Sequence, residues 1–203
     1  MKLPARWPLL LCIALPAIAA GLWWCLRAPA QHPDSARYLQ REPALALVAG
    51  FVSYASIADT GALLRQQGHP WSRRTLARPP DPRYPPHVID TMTVERFVML
   101  GTAGRLSLQF FNDRLFEVDF KPDDAAACAS ALKRADTLLR RDRNGRAERV
   151  DGAWRLATNV ELAASTVGKS LATEPYLLWQ DLRLTAQRDD WDARFGALPY
   201  RLP

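Results

Sequence analysis

The stretch from Ala163 to Ser170 reads A-A-S-T-V-G-K-S and comes nearest to a known chemical motif. A glycine ahead of lysine and serine lets backbone amides wrap a phosphate, while the ammonium neutralises it and the hydroxyl helps hold magnesium. That chemistry needs a strand before the loop, a long helix after it and a parallel sheet supplying a magnesium-binding acid. Here alanine replaces the first glycine, Pro175 soon stops any helix, and 33 residues follow Ser170. The run reads as a glycine-containing loop, and neither nucleotide nor any other cofactor is expected.

The remaining reactive types are scattered. His32, His69 and His87 each lie beside proline and far apart, without metal-ligand spacing between any two. No G-x-S-x-G elbow marks a nucleophile. The acidic pairs Asp123-Asp124 and Asp189-Asp190 fall at a helix start and on an exposed helical face, where solvation accounts for them. Of the three cysteines, Cys12 and Cys25 lie in an apolar N-terminal run, leaving Cys128 alone in the body. Its helical spacing with Ala125, Leu132, Ala135 and Leu139 predicts a buried small side chain rather than a nucleophile. No residue is therefore assigned to catalysis, to a cofactor or to a metal.

Charge excludes another class. The chain carries +6, but Lys2, Arg6 and Arg27 surround the apolar run, and without them 24 basic side chains face 21 acidic ones. Nucleic-acid binding needs a concentrated basic face. The one basic stretch, Lys133 to Arg149, is interrupted by Asp136, Asp142 and Glu148, so no nucleic-acid partner is expected. With 48% hydrophobic and 24% charged residues the chain has the composition of a globular protein. Its arginine and alanine bias points to a GC-rich bacterial genome.

Trp7 to Leu26 holds 20 residues without a charge. As a helix it spans about 30 Å, the thickness of a bilayer core. Trp7 at one end and Trp23 and Trp24 at the other suit the two headgroup layers. These features predict a single-pass inner-membrane anchor over residues 1–27, with the body in the periplasm. A cleaved signal peptide is the alternative, with Ala17-Ile18-Ala19 as its processing site.

Residues 28–43, with prolines at 29, 33 and 43, read as a linker, and residues 44–203 as one extracytoplasmic domain. Leu45 to Tyr54 fits a strand or a helix equally. Ser56 caps a helix that Gly68 and Pro70 end. The prolines from 79 to 86 force an extended loop. Leu106, Leu108 and Phe110 alternate with polar positions, Asn112-Asp113 supplies a turn, and Phe116, Val118 and Phe120 return. This is a β-hairpin, preceded by a strand over Val94 to Leu100. Pro122 begins a helix to about Arg140. Asp142 to Gly152 is a loop or hairpin tip, Trp154 to Glu161 and Tyr176 to Trp179 add strands, and a last helix runs from Asp181 to Gly196. No internal repeat is evident in the sequence.

The expected fold class is α+β: an N-terminal transmembrane helix, then an antiparallel sheet with helices packed on one face. Phe110 and Phe111 are adjacent, so in a strand they point to opposite sides. Phe111 then falls on the uncovered face, as a docking aromatic. Together these features predict a non-enzymatic envelope module that binds another envelope protein in an accessory, assembly or inhibitory role. An apolar-ligand or lipid-binding periplasmic domain is the alternative.

Overall fold

The computed structural model describes residues 32–197, apart from 79, 80 and 137. The span over Trp7, Trp23 and Trp24 lies outside them. Among the described residues no helix is long and apolar enough to cross a membrane.

The body is α+β, built on one antiparallel sheet of eight strands. Strands β1 (Ala46–Val48) and β2 (Phe51–Val52) form a separate small hairpin, turned by Ala49 and Gly50 at positive φ. Helix α1 (Ile57–Gln66) follows, with the Ser56 hydroxyl accepting from the Asp59 amide as the capping pattern requires. Strands β3 (Ser72–Ala77), β4 (Val88–Met99), β5 (Thr102–Phe111) and β6 (Leu115–Pro122) form an up-and-down meander, and α2 (Ala125–Ala135) follows it. The second half repeats the arrangement with β7 (Arg140–Arg141), β8 (Ala147–Asp151), β9 (Trp154–Thr158), two short helices α3 (Val160–Ala164) and α4 (Thr166–Ser170), β10 (Leu177–Asp181) and α5 (Leu182–Phe195). Sheet order is β3-β4-β5-β6-β10-β9-β8-β7, so the last strand of each half pairs with the other at the centre. No residue-level repeat announces this topology, because the two halves share strand order and not side chains.

The β5–β6 turn forms at Asn112 and Asp113, both at positive φ, the geometry a two-residue hairpin needs. Several expected boundaries move: β4 begins at Val88 rather than Val94, and β9 ends at Thr158, short of Glu161, which lies in α3. Pro122 ends β6 instead of opening a helix, because Asp124 takes the cap by accepting from the Ala126 and Ala127 amides. The helix then stops at Ala135.

Apolar side chains collect on both sides of the sheet. The larger core joins Met92, Val94, Leu106, Leu108, Phe110, Val118, Phe120 and Trp179 with Leu64 of α1 and Cys128 and Leu132 of α2. The smaller one holds Tyr38, Tyr54, Phe111, Phe116, Leu184 and Trp191. Since Phe110 and Phe111 are successive strand residues, the two clusters lie on opposite faces. The helices are thus not confined to one face: α5 closes the second face at the β5–β6 turn through Leu184 and Trp191.

Residues 32–43 also belong to the packed domain and do not stand apart as a linker. Tyr38 is buried, its hydroxyl donates to Asp190 Oδ2 at 2.5 Å, and Arg183 pairs with Glu42 at 3.1 Å. Arg114 donates to the carbonyls of Tyr38 and Gln40.

Candidate functional site

Asp90 is the side chain whose placement most needs explaining. It lies in β4 between Val88 and Met92, at the strand phase that faces the main core, and is 1% exposed. A buried carboxylate is costly unless hydrogen-bonded. Arg73 Nε donates to its Oδ1 at 2.8 Å, and the Thr75 hydroxyl donates to the same oxygen. Both donors belong to β3, so the acid ties the outermost strand to its neighbour through side chains as well as through the ladder.

Around Asp90 runs a solvent-open groove of about 710 Å³, with Arg73 of the edge strand β3 in its wall. Trp71, Val88, Ile57, Ala58, Leu39 and Pro86 supply its apolar walls, and Arg65, Arg73, Asn112 and Asp113 its polar ones. Gly61 lets the indole lie against α1, since a Cβ there would sit 3.1 Å from Trp71 Cζ2. The turn residues hold the frame. Asn112 accepts from the Val88 amide at 2.8 Å and donates to the carbonyls of Tyr38 and Pro86, while Asp113 accepts from the Ile57 amide at 2.9 Å. One two-residue turn therefore fixes three of the groove's walls.

The second face carries a different feature. Glu117 is 7% exposed, and the amides of Gln109 and Gln180 donate to its two carboxylate oxygens. Arg155 donates to Gln180 at 2.8 Å and to Glu148 at 2.6 Å, which extends the chain of bonds from β5 to β8. Burial raises the Glu117 pKa, against the opposing pull of the amides and of Arg188 and Arg155. The Asp119 side chain, two residues on, makes no hydrogen bond or ion pair among the described residues. Burial pushes its pKa up to about 6. Each Glu117 oxygen already accepts a bond, so this network stitches strands together.

The residues singled out by type are not brought together. Phe111 is fully buried in the second core, edge-on to His87 at 5.7 Å, so it offers no docking surface. The expectation assumed an uncovered face, and α5 covers that end. His87 packs at a tilt against Trp191 at 4.1 Å and His69 against Phe97 at 4.9 Å, and His32 meets Phe195 edge-on at 5.5 Å. Among the described residues no group of three His, Cys, Asp or Glu side chains is placed to hold a metal. Cys128 is buried, which pushes its thiol pKa up to about 11.

Ala163 to Ser170 is helical on both sides of Ser165, not a loop. The Ser165 hydroxyl caps α4 by accepting from the Gly168 amide at 3.1 Å. Gly168 packs where any Cβ would overlap the Leu162 carbonyl, so packing explains this glycine. Asp90 itself carries a signal in the sequence: an acid inside the series Val88, Met92, Val94 at core-facing phase. Glu117 carries none, because its position alternates outward like any solvated residue.

Comparison with protein-family models finds no match for this chain, and comparison with curated proteins finds none either.

Proposed function

We propose that this chain is a membrane-anchored envelope module that works by holding another protein rather than by turning over a substrate. Residues 7–26 serve as its single inner-membrane span, and the sheet domain stands in the periplasm. The groove beside Asp90 is the recognition site. One observation carries the reading: an apolar-walled, solvent-open groove lies beside the edge strand of a sheet, with Asp90, Arg73, Asn112 and Asp113 fixed by bonds to neighbouring elements. Sites that hold partner segments combine an apolar anchor region with a polar rim in this way.

A second reading, an apolar-ligand or lipid site, draws on the same volume. About 710 Å³ falls within the roughly 300–1,000 Å³ range of small-molecule pockets. Openness along one side favours a chain segment over an enclosed lipid.

A photoreactive residue at Leu39, which lines the groove and is 44% exposed, separates the two in intact cells. One stoichiometric protein adduct, absent when the probe stands at exposed Val150, is the expected result. A lipid adduct without protein supports the second reading. No adduct at Leu39 defeats both. Protease shaving of spheroplasts carrying a C-terminal tag checks the location, and a protected tag refutes it.

A further inference from the structure

The groove borders a strand whose outer side is unpaired. In β3 every residue from Ser72 to Ala77 is exposed, and the strand is the first in the sheet order. Its register with β4 runs from Ser72 opposite Thr93 to Ala77 opposite Val88. Arg78, one step further, donates its amide to the His87 carbonyl at 3.1 Å, which marks that pair as hydrogen-bonded. Antiparallel ladders alternate, so Leu76, Arg74 and Ser72 also bond to β4. The N–H and C=O groups of Arg73, Thr75 and Ala77 therefore point outward, and no bond to them exists among the described residues.

The side chains of those same three residues share the sheet face of Met92, Asp90 and Val88, and Arg73 lines the groove. A strand added at this edge would pair its main chain with Arg73, Thr75 and Ala77 and turn alternate side chains toward Trp71 and Val88. Its other side chains would lie beside Arg74 and Leu76 on the second face.

Beside the strand itself the open charge is positive, and the one exposed carboxylate of the groove, Asp113, sits at the β5–β6 turn. Asp90 is engaged by Arg73 and Thr75, and Asp113 accepts from the Ile57 amide. Arg65 at the groove wall and Arg74 on the strand make no ion pair among the described residues. Two arginines within six residues also keep identical edges from pairing with each other, while admitting an acidic one.

We propose that the β3 edge takes an extended acidic segment of a partner protein as a ninth strand, with apolar residues toward the groove and acidic residues beside Arg74. This deepens the reading of the groove as a protein-recognition site and rests on it. The probe is a fluorescein-labelled peptide alternating valine and glutamate, titrated by anisotropy against the full chain in detergent. Controls are the same peptide with lysine for glutamate and one with a central proline, which removes a ladder donor.

The expected result is saturable binding of the glutamate peptide. Affinity should drop at least tenfold for the proline peptide and for the variant Arg74→Glu. Amide exchange should slow at residues 73, 75 and 77. Equal binding of the lysine peptide, slowed exchange elsewhere, or no binding overturns the proposal. If the Leu39 probe still captures a protein in that event, the recognition reading survives and only the strand-addition step fails. A lipid adduct at Leu39 defeats the reading beneath it.

Discussion

Truncating Arg114 to alanine should release residues 32–43 from the domain and destabilise the whole. The guanidinium is 1% exposed and donates to the carbonyls of Phe111 at 3.2 Å, Tyr38 at 2.5 Å and Gln40 at 2.5 Å, and to the Gln187 amide oxygen at 3.0 Å. It makes no ion pair among the described residues, and burial pulls its pKa down to about 10. At about 1.4 kcal/mol per pKa unit, that burial costs the charge about 3 kcal/mol. Alanine removes the cost but strands the Phe111 and Gln40 carbonyls and the Gln187 amide oxygen, each worth about 1–3 kcal/mol when desolvated and unpaired, while Tyr38 keeps its bond from Asn112. The net is a loss of about 2–4 kcal/mol, in line with breaking other buried charged contacts. Arg114→Met is the control, since it refills the volume and leaves the same Phe111, Gln40 and Gln187 acceptors without their donor. Urea titration followed by tryptophan fluorescence reads the stability of both variants. Trypsin cleavage after Arg37 and Arg41 reads release of the segment. Recovery of wild-type stability by methionine, or a loss below about 1 kcal/mol for alanine, refutes the hydrogen-bonding account. Because Leu39 belongs to this segment, loosening it also removes one wall of the groove.

Two further perturbations test the second face and the false phosphate motif. Asp119 has its folded-state pKa raised to about 6. The folded protein therefore binds its proton more tightly than the unfolded chain does, and this contribution to stability is lost as pH rises from about 4 to about 6. Asp119→Asn should flatten that slope and add about 1–2 kcal/mol at pH 7, a figure discounted for the side chain's partial exposure. Urea midpoints across pH 4–7.5 check it, and an unchanged slope counts against it. Gly168→Ala should destabilise by about 2–4 kcal/mol, because its Cβ would overlap the Leu162 carbonyl. A thermal melt within 2 °C of wild type would show that packing does not require the glycine.

What the sequence made legible follows from where solvent lies. Leu106, Leu108 and Phe110 alternate because one side of β5 faces a core, and the strand was readable for that reason. Helix α5 was readable from both ends, with Asp181 accepting from the Arg183 amide at 3.0 Å and Gly196 at the C-cap. Strand β3 was not readable. At the sheet's edge both of its faces meet solvent, so S-R-R-T-L-A has no apolar phase to detect. The small second core was missed for the opposite reason: it draws Tyr38, Tyr54, the pair Phe111 and Phe116 of one hairpin, and Leu184 and Trp191 of α5 from four separate stretches, and no local pattern gathers positions so far apart. The groove depends on both features, which is why the sequence announced its acid and not its shape.

A free sheet edge is ordinarily a hazard, since it invites pairing with any unfolded chain. Here it is short, carries two arginines, and runs into the proline-rich stretch from Pro79 to Pro86, which limits how far an added strand can extend. The same edge is also held rigid. The Asp90 bonds to Arg73 and Thr75 fix β3 on its inner side, so its outward groups stay in strand geometry without a partner. An edge fixed in that geometry loses little further conformational entropy when a strand joins it, and preorganisation of this kind raises affinity without new contacts. Asp90 thus gains a reason for its burial beyond stability. In an ordinary strand an apolar residue would fill that position at lower cost, whereas an acid there fixes the edge strand through Arg73 and Thr75, the arrangement that the strand-addition proposal requires.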